Sequence, residues 1–340
     1  MRSALNIPGD LLSVQDLLDR SMRRVELCFD HALRSDLPPV QRLISHLESY
    51  RGKMLRPALV VLSGMAARAA HPADDAVTDA HVTIAAVCEM IHMATLVHDD
   101  VLDEAELRRK GATINRLRGN ETAVILGDYL FSSAYRLCST LDSQQAALLI
   151  GQTGMTLCSG ELLQLHHREN FSIDEPTYFE IVGRKTGSLI SVACRLGAAQ
   201  SGAPEPVARR FADFGIALGV AFQIQDDLLD LLGDQAVVGK PLQRDLELGK
   251  LTLPIIHHLG AASPARRART LALLEDHGAF DGPSLRDLLE ALASTGSIAH
   301  AQGKATELVA QAKNLLAEIP ASPAKSLLLV MADQVVSRSA

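Results

Sequence analysis

Apolar residues recur along this chain at steps of three and four, as in VTIAAVCEMIHMATLVHDDVLD (residues 82–103) and ARRFADFGIALGVAFQIQDDLLDLL (residues 208–232), whereas alternating strand-like runs are scarce. The pattern predicts an all-α class. Helix breaks are expected at Pro38-Pro39, around His71-Pro72, at Gly119-Asn120, from Asp174 to Pro176, from Ala203 to Pro206, from Gly233 to Pro241, around Gly278 to Pro283 and from Pro320 to Pro323. None resembles a long flexible linker, so residues 1–340 are expected to form a single helical domain of roughly ten or more helices. The residues around the acidic motifs described below repeat at no fixed period, which argues against a solenoid.

Composition narrows this picture. Hydrophobic residues make up 47% and charged residues 21%, a balance that buries a large core and excludes disorder. The net charge of −7 argues against nucleic acid as a partner, because such binding rests on Lys and Arg contacts to phosphate. Cys28, Cys88, Cys138, Cys158 and Cys194 are odd in number, widely spaced and without a CxxC pair, as expected of reduced core residues in a cytosolic protein. The first twenty residues place acids inside their apolar pattern and show no signal-peptide core. The richest apolar run, ISVACRLGAA, is short and contains Arg195, so no bilayer span is expected. A soluble, cytoplasmic protein follows, with contact at a membrane surface left open.

Charge is not spread evenly. LVHDDVLDEAELRRKGAT (residues 96–113) carries Asp99, Asp100 and Asp103, and FQIQDDLLDLLGD (residues 222–234) repeats the grammar with Asp226, Asp227 and Asp230. On a helix, positions i and i+4 share a face and i+1 lies about 100° round, so each trio gathers carboxylates on one rim. A single such motif is commonly a solvated helix face. Here both are embedded in apolar sequence, and like charges there need positive partners. Clustered carboxylates with room for water and a substrate phosphate suit Mg²⁺ better than an all-protein Ca²⁺ cage. Two clusters gripping a diphosphate through Mg²⁺ would make it a good leaving group. No HExxH, GxSxG or Walker A sequence offers a rival mechanism. Lys53 and Arg56 in RGKMLRP, Arg108 and Arg109, and Lys240 and Lys250 in GKPLQRDLELGK are fitted to take phosphate oxygens that metal does not hold.

Six ordered motifs, GKMLRPAL, DDVLD with RRKGAT, GDYLF, GRKTGSL, FQIQDDLLD and GKPLQRDLELGKLTLP, span nearly the whole chain and resemble the trans-isoprenyl diphosphate synthases. The resemblance implies an all-α isoprenoid synthase fold around a central cavity, about three Mg²⁺ ions, and growth of an allylic diphosphate by head-to-tail addition of isopentenyl diphosphate. It makes Asp99, Asp103 and Asp226 the principal metal ligands, supported by Asp100, Asp227 and Asp230. Lys53, Arg56, His92 and Arg109 become the isopentenyl diphosphate pocket, and Arg108, Lys185, Lys240 and Lys250 contacts to the allylic diphosphate. A homodimer is also implied. Glycines 183 and 187 flank Lys185 and Thr186 within a helical run, which suggests a kink that frees backbone carbonyls; those oxygens, Thr186 and Gln223 are expected to stabilise the allylic cation. Met54 stands where the family often has a base.

Product length follows from the residues preceding Asp99. Ala94 and Thr95 are small where short-chain members place aromatics, leaving the tunnel open, with Ile91, Cys88 and Val87 on the next turns and Phe131 and Tyr135 as candidate floors. Each isoprene unit passes about three helical residues, so a product of about C30 to C50, of the kind used for quinone side chains, is expected. The alternatives are a short-chain farnesyl or geranylgeranyl diphosphate synthase and the catalytic subunit of a two-component synthase. A terpene cyclase needs no second diphosphate pocket, and a non-catalytic subunit is expected to lose acidic motifs that are intact here.

Overall fold

In helix α1 (Leu12–Leu33) Val14, Leu18, Met22, Val25, Phe29 and Leu33 are buried at steps of three and four, while Arg20, Arg23 and Glu26 face water. The structure, a computed structural model, describes residues 12–68, 77–109, 111–233, 244–275 and 282–337. The expected breaks at His71-Pro72, most of that from Gly233 to Pro241 and part of that from Gly278 to Pro283 lie outside those residues.

Helix α2 (Pro38–His46) opens on its two prolines, which need no helical N–H there, and runs into a 3₁₀ turn at Leu47–Tyr50. Then come α3 (Leu55–Ala67) and α4 (Asp79–Leu102). A short antiparallel hairpin, β1 (Leu107–Arg108) and β2 (Gly111–Ala112), pairs Leu107 with Ala112 and Arg108 with Gly111. Helices α5 (Ile114–Arg118), α6 (Asn120–Cys138), α7 (Gln144–His166) and α8 (Glu175–Val182) lead to a π-turn at Gly183–Gly187. They are followed by α9 (Ser188–Gln200), α10 (Glu205–Leu232), α11 (Arg244–Glu247), α12 (Leu253–Ala261), α13 (Pro264–Glu275), α14 (Gly282–Ser294), α15 (Ser297–Leu315) and α16 (Pro323–Val336). The all-α expectation holds. The hairpin departs from it, because two residues per strand are too few to print an alternation in the sequence.

Contacts divide the chain into two compact units, residues 1–155 with 189–215 and 313–332, and residues 156–188 with 216–312 and 333–340. In the first, α4 packs against α1, α3 and α6. By length and composition α4 could cross a membrane, yet most of its apolar stretch is buried inside the protein. It is a core helix. In the second unit Tyr178, Val220, Ile224, Leu228, Leu253 and Ala301 form one core, and Leu231, Ile255, Leu274, Leu288 and Leu292 another. All five cysteines are unpaired thiols; Cys88, Cys138 and Cys194 are buried as expected, while Cys158 is exposed.

His81 shows how tightly the first unit closes. Its Nδ1 accepts from the Thr78 backbone N–H at 3.2 Å, which leaves Nε2 to donate to the Gly197 carbonyl at 3.1 Å. A Cβ at Gly64 would stand 2.5 Å from Nε2, and one at Gly197 would stand 2.2 Å from the Val60 carbonyl oxygen, so α3 and α9 meet where only glycine fits. Burial pulls the His81 pKa down to about 4. The unfolded chain binds a proton near pH 6.5 and the folded chain resists it, so stability is highest above that pH and falls as pH drops toward 4. Urea unfolding at pH 7, 5.5 and 4.5 should show this loss, up to about 3 kcal/mol. In His81→Gln the slope across that window should be smaller, and an unchanged slope would assign it to other groups.

Candidate active site

Each unit carries one aspartate motif. In the first, α4 ends at Leu102 and delivers Asp99 and Asp100 on its last turn, with Asp103 as its C-cap residue. The neighbours Asp99 and Asp100 differ sharply. Asp99 is partly exposed, whereas Asp100 is 1% exposed and turned inward. Its Oδ1 accepts from Arg108 Nε at 2.9 Å and Nη2 at 2.7 Å, and its Oδ2 from the Tyr50 hydroxyl at 2.8 Å. Tyr50 in turn accepts from the Ile114 N–H at 3.0 Å, and Asn115 donates to the Asp100 carbonyl at 3.1 Å. This corrects the expectation of three carboxylates on one rim: the 100° step carries the middle one into the protein. Burial lowers the Arg108 pKa, but the hydrogen bond to Asp100 and the charges of Asp100 and Asp99 outweigh it, so Arg108 stays firmly charged.

Arg109 follows Arg108 but occupies the hairpin turn, with φ of 57°, and the two side chains take different neighbours, Arg108 the Asp100 carboxylate and Arg109 Gly52. Arg109 lies against Gly52, where a Cβ would stand 2.2 Å from Nη2. Met54 also has positive φ, 53°, just before α3, and its side chain is buried. Lys53 beside it is exposed and Arg56 is partly buried. Burial, then Arg56, Arg108 and Arg109, hold the His92 pKa well below its ordinary value, so a neutral imidazole faces three guanidinium groups. Lys53, Arg56, His92 and Arg109 all lie in the first unit. Sequence reasoning missed Tyr50 and Asn115 here; each bonds to Asp100 from outside any motif.

The second unit holds the other cluster. The GRKTG segment forms a π-turn, in which the Ser188 N–H bonds back to the Gly183 carbonyl, widening the helix where a kink was expected. Lys185 pairs with Glu161 at 2.5 Å and donates to Gln164 at 2.9 Å. Thr186 donates to Gln223 Oε1 at 3.0 Å, Gln223 Nε2 to Asp227 Oδ1 at 2.8 Å, and the Tyr178 hydroxyl to Asp227 Oδ2 at 2.6 Å. Burial, together with the charge of Asp245, raises the Asp227 pKa to about 8. Asp226 and Asp230 are one turn apart on α10, and Asp230 Oδ2 accepts from the Asp245 N–H at 3.3 Å. Lys185, Thr186, Gln223, Asp227, Asp245 and Lys250 line one pocket. Lys240 lies outside the described residues. Glu161, Gln164, Tyr178 and Asp245 were not read from the sequence; only Asp245, inside GKPLQRDLELGK, stood in a quoted motif.

Among the chain-length residues, Ala94, Cys88 and Val87 are fully buried and Ile91 nearly so. Thr95 is partly exposed, its hydroxyl donating to the His92 carbonyl at 2.8 Å. Phe131 stacks on His98 with centroids 6.0 Å apart, and His98 lies against Gly127, where a Cβ would come within 2.1 Å of its Nε2. Tyr135 is 60% exposed and does not face the interior of its unit, which corrects its reading as a floor.

Among the described residues no three His, Cys, Asp or Glu side chains converge closely enough to hold an ion alone. The partly exposed Asp99 and Asp226 offer hard oxygen donors. Such a set fits a cation that keeps water or takes substrate oxygens in its coordination sphere.

The all-α chain sets basic residues near one aspartate motif and a Thr186–Gln223–Asp227 hydrogen-bonded chain, with Lys185 in the same pocket, at the other. Residues 38–292 match the polyprenyl synthetase family model, and the chain belongs to that family; it is a trans-prenyltransferase with the isoprenoid synthase fold. It is similar to heptaprenyl diphosphate synthase component 2 of Geobacillus stearothermophilus, 34% identical over 94% of this chain and 96% of the relative. Octaprenyl diphosphate synthase of Escherichia coli (strain K12) is 33% identical over 97% of this chain and 99% of its own. Among solved structures, a polyprenyl synthase from Caulobacter crescentus complexed with calcium and isoprenyl diphosphate superposes with a TM-score of 0.87, at 30% identity, covering 97% of this chain and 98% of that one.

Proposed function

We propose that residues 1–340 work as one catalytic domain that extends an allylic diphosphate with isopentenyl diphosphate to an all-trans product of about C30 to C50, each unit passing about three residues of α4. The observation that carries the chain length is the pair Ala94 and Thr95, small side chains one turn before Asp99 on the helix that ends in the first aspartate motif. The names of the heptaprenyl and octaprenyl relatives support the same range.

In this reading Asp99, Asp103 and Asp226 hold about three divalent ions, Mg²⁺ in the cell; the calcium in the Caulobacter complex supports a divalent requirement. Ions held there would supply the charge neutralisation that lets the diphosphate leave with the electron pair of the allylic C–O bond. Asp230 assists them, while Asp100 and Asp227, committed to Arg108, Tyr50, Tyr178 and Gln223, shape the motifs from inside. Lys185, Lys240, Lys250 and Arg108 take the allylic diphosphate oxygens. The Thr186 hydroxyl, the Gln223 amide and the carbonyls of the π-turn face the developing allylic cation. Lys53, Arg56, His92 and Arg109 hold isopentenyl diphosphate while its alkene attacks the allylic carbon and a proton is lost.

The test is product analysis of the purified chain alone with Mg²⁺, isopentenyl diphosphate and farnesyl diphosphate. Products of thirty carbons or more support the reading. A stop at fifteen or twenty carbons would make it a short-chain enzyme, and activity appearing only with a second polypeptide would make it the catalytic half of a two-component synthase, as the component 2 relative's name suggests.

We further infer that the enzyme is a cytoplasmic homodimer. Leu148, Met155 and Leu162 lie seven residues apart on α7 and are 59%, 75% and 67% exposed, and Ile125 on α6 is 67% exposed. Seven-residue steps keep them on one face, and apolar exposure of this extent calls for a cover. Light scattering should give twice the chain mass, and Met155→Glu should lower it toward one copy. A monomeric wild type would end this reading.

A further inference from the structure

Tyr178 lies on α8, outside the six motifs and eight residues before Thr186. It is 4% exposed, and a phenol hydroxyl so covered needs a hydrogen-bond partner. It lines the pocket that also holds Thr186, Gln223 and Asp227. Its hydroxyl donates to Asp227 Oδ2 at 2.6 Å, Gln223 Nε2 donates to Asp227 Oδ1 at 2.8 Å, and the Thr186 hydroxyl donates to Gln223 Oε1 at 3.0 Å.

These bonds form one chain, and the chain has a direction. An amide has one donor end and one acceptor end, so with Nε2 committed to Asp227 it is Oε1 that meets Thr186. The Thr186 hydroxyl spends its single proton there, and what it keeps for the pocket is lone pairs. Lone pairs stabilise a developing positive charge, whereas an O–H dipole aimed at it would oppose it. Turned the other way, the amide would give Thr186 an N–H and leave the hydroxyl proton free to point at the cation. Asp227 sets the direction only while its own carboxylate is held, and Tyr178 holds the second oxygen.

The π-turn lets one helical run supply both ends of the chain. On a regular α-helix residues eight apart lie about 80° off a common face, whereas residues seven apart nearly align. The turn at Gly183–Gly187 takes in one extra residue, which brings Tyr178 and Thr186 to one face. On α10 their partners Asp227 and Gln223 are one turn apart.

We propose that Tyr178 is a positioning residue for the allylic cation: through Asp227 it fixes the Gln223 amide so that Thr186 presents lone pairs to the pocket. The proposal rests on the reading that Thr186 and Gln223 stabilise that cation.

The test is full-length Tyr178→Phe, which removes one oxygen and keeps the ring. Single-turnover condensation of farnesyl and isopentenyl diphosphate, which reads the chemical step apart from product release, is measured beside steady-state KM and thermal unfolding. The expected result is a single-turnover rate about tenfold lower, with KM for both substrates changed less than threefold. Because Tyr178 acts through Gln223, Tyr178→Phe/Gln223→Ala should be no more than about twofold slower than Gln223→Ala alone. Asp227→Asn, which turns an N–H toward one of the two donors, carries the same readout should Tyr178→Phe not fold. An unchanged single-turnover rate, a rise in KM with that rate kept, or effects that multiply in the double variant would overturn the proposal, the first leaving Tyr178 a purely structural hydroxyl. Gln223→Ala separates the two layers: if it leaves the single-turnover rate unchanged, the cation reading itself fails, whatever Tyr178→Phe does.

Discussion

Asp99→Asn is expected to lower kcat about a thousandfold, roughly 4 kcal/mol of barrier, while thermal unfolding stays within a degree or two of wild type. Asp100→Asn, one residue on, is expected to do something different. Asp99 is partly exposed on the last turn of α4, where its carboxylate is placed to meet an ion; losing its charge removes metal binding and little packing. Asp100 is 1% exposed and accepts from both Arg108 and Tyr50. Neutralising it strands a guanidinium group that is itself mostly covered, the kind of loss that costs roughly 3 kcal/mol in stability. Kinetics at rising Mg²⁺ together with calorimetry would separate the two: Asp99→Asn should need more Mg²⁺ yet melt normally, and Asp100→Asn should melt early. Equal melting temperatures and equal kinetic losses would mean that both serve the metal alike and that the Arg108 pair contributes little.

Thr95→Phe is expected to shorten the product to about C15 to C20, since Thr95 is four residues before Asp99 and each isoprene unit passes about three residues of helix. Thr95 is partly exposed, so an aromatic ring there has somewhere to go. Ala94 is fully buried, and Ala94→Phe must push a ring into a packed core at a cost of about 1–3 kcal/mol. Both variants should shorten the chain, but only Ala94→Phe should also melt earlier. Chain-length separation after dephosphorylation reads the first effect and thermal unfolding the second. Unaltered long products from Thr95→Phe would place the growing tail on another face of α4.

Legibility in the sequence depended on how each feature is encoded. Several of the breaks expected at Pro or Gly were found: α2 opens on Pro38, Gly119 with φ of 84° separates α5 from α6, and α8 starts behind Asp174, which caps it by accepting from the Thr177 N–H at 3.0 Å; those before Pro264 and at Gly296 were not read. The break between α6 and α7 has neither Pro nor Gly and left no mark. The two glycines around Lys185 and Thr186 pointed to an irregular helix, and the π-turn is that irregularity. The motif residues were legible because each has a charged or polar type at fixed spacing. Their supports were not. Tyr50, Glu161 and Tyr178 stand singly in apolar or ordinary helical sequence, and only packing reveals what they touch.

By itself the sequence determined the all-α class, the family and the identity of the acidic and basic residues, because helical periodicity and motif spacing are local properties that one chain written in a line displays. The tertiary structure alone decided which member of each aspartate pair faces outward, that Arg108 meets Asp100 while Arg109 meets Gly52, that His81 is neutral at the meeting of α3 and α9, and that Glu89 is buried on α4. Those outcomes depend on burial and on contacts made across the fold, such as Tyr50 with Asp100 and His81 with Gly197. Spacing along one helix carries no information about them, because the desolvation and pairing that fix a charge's direction are set by whatever the rest of the chain packs against it.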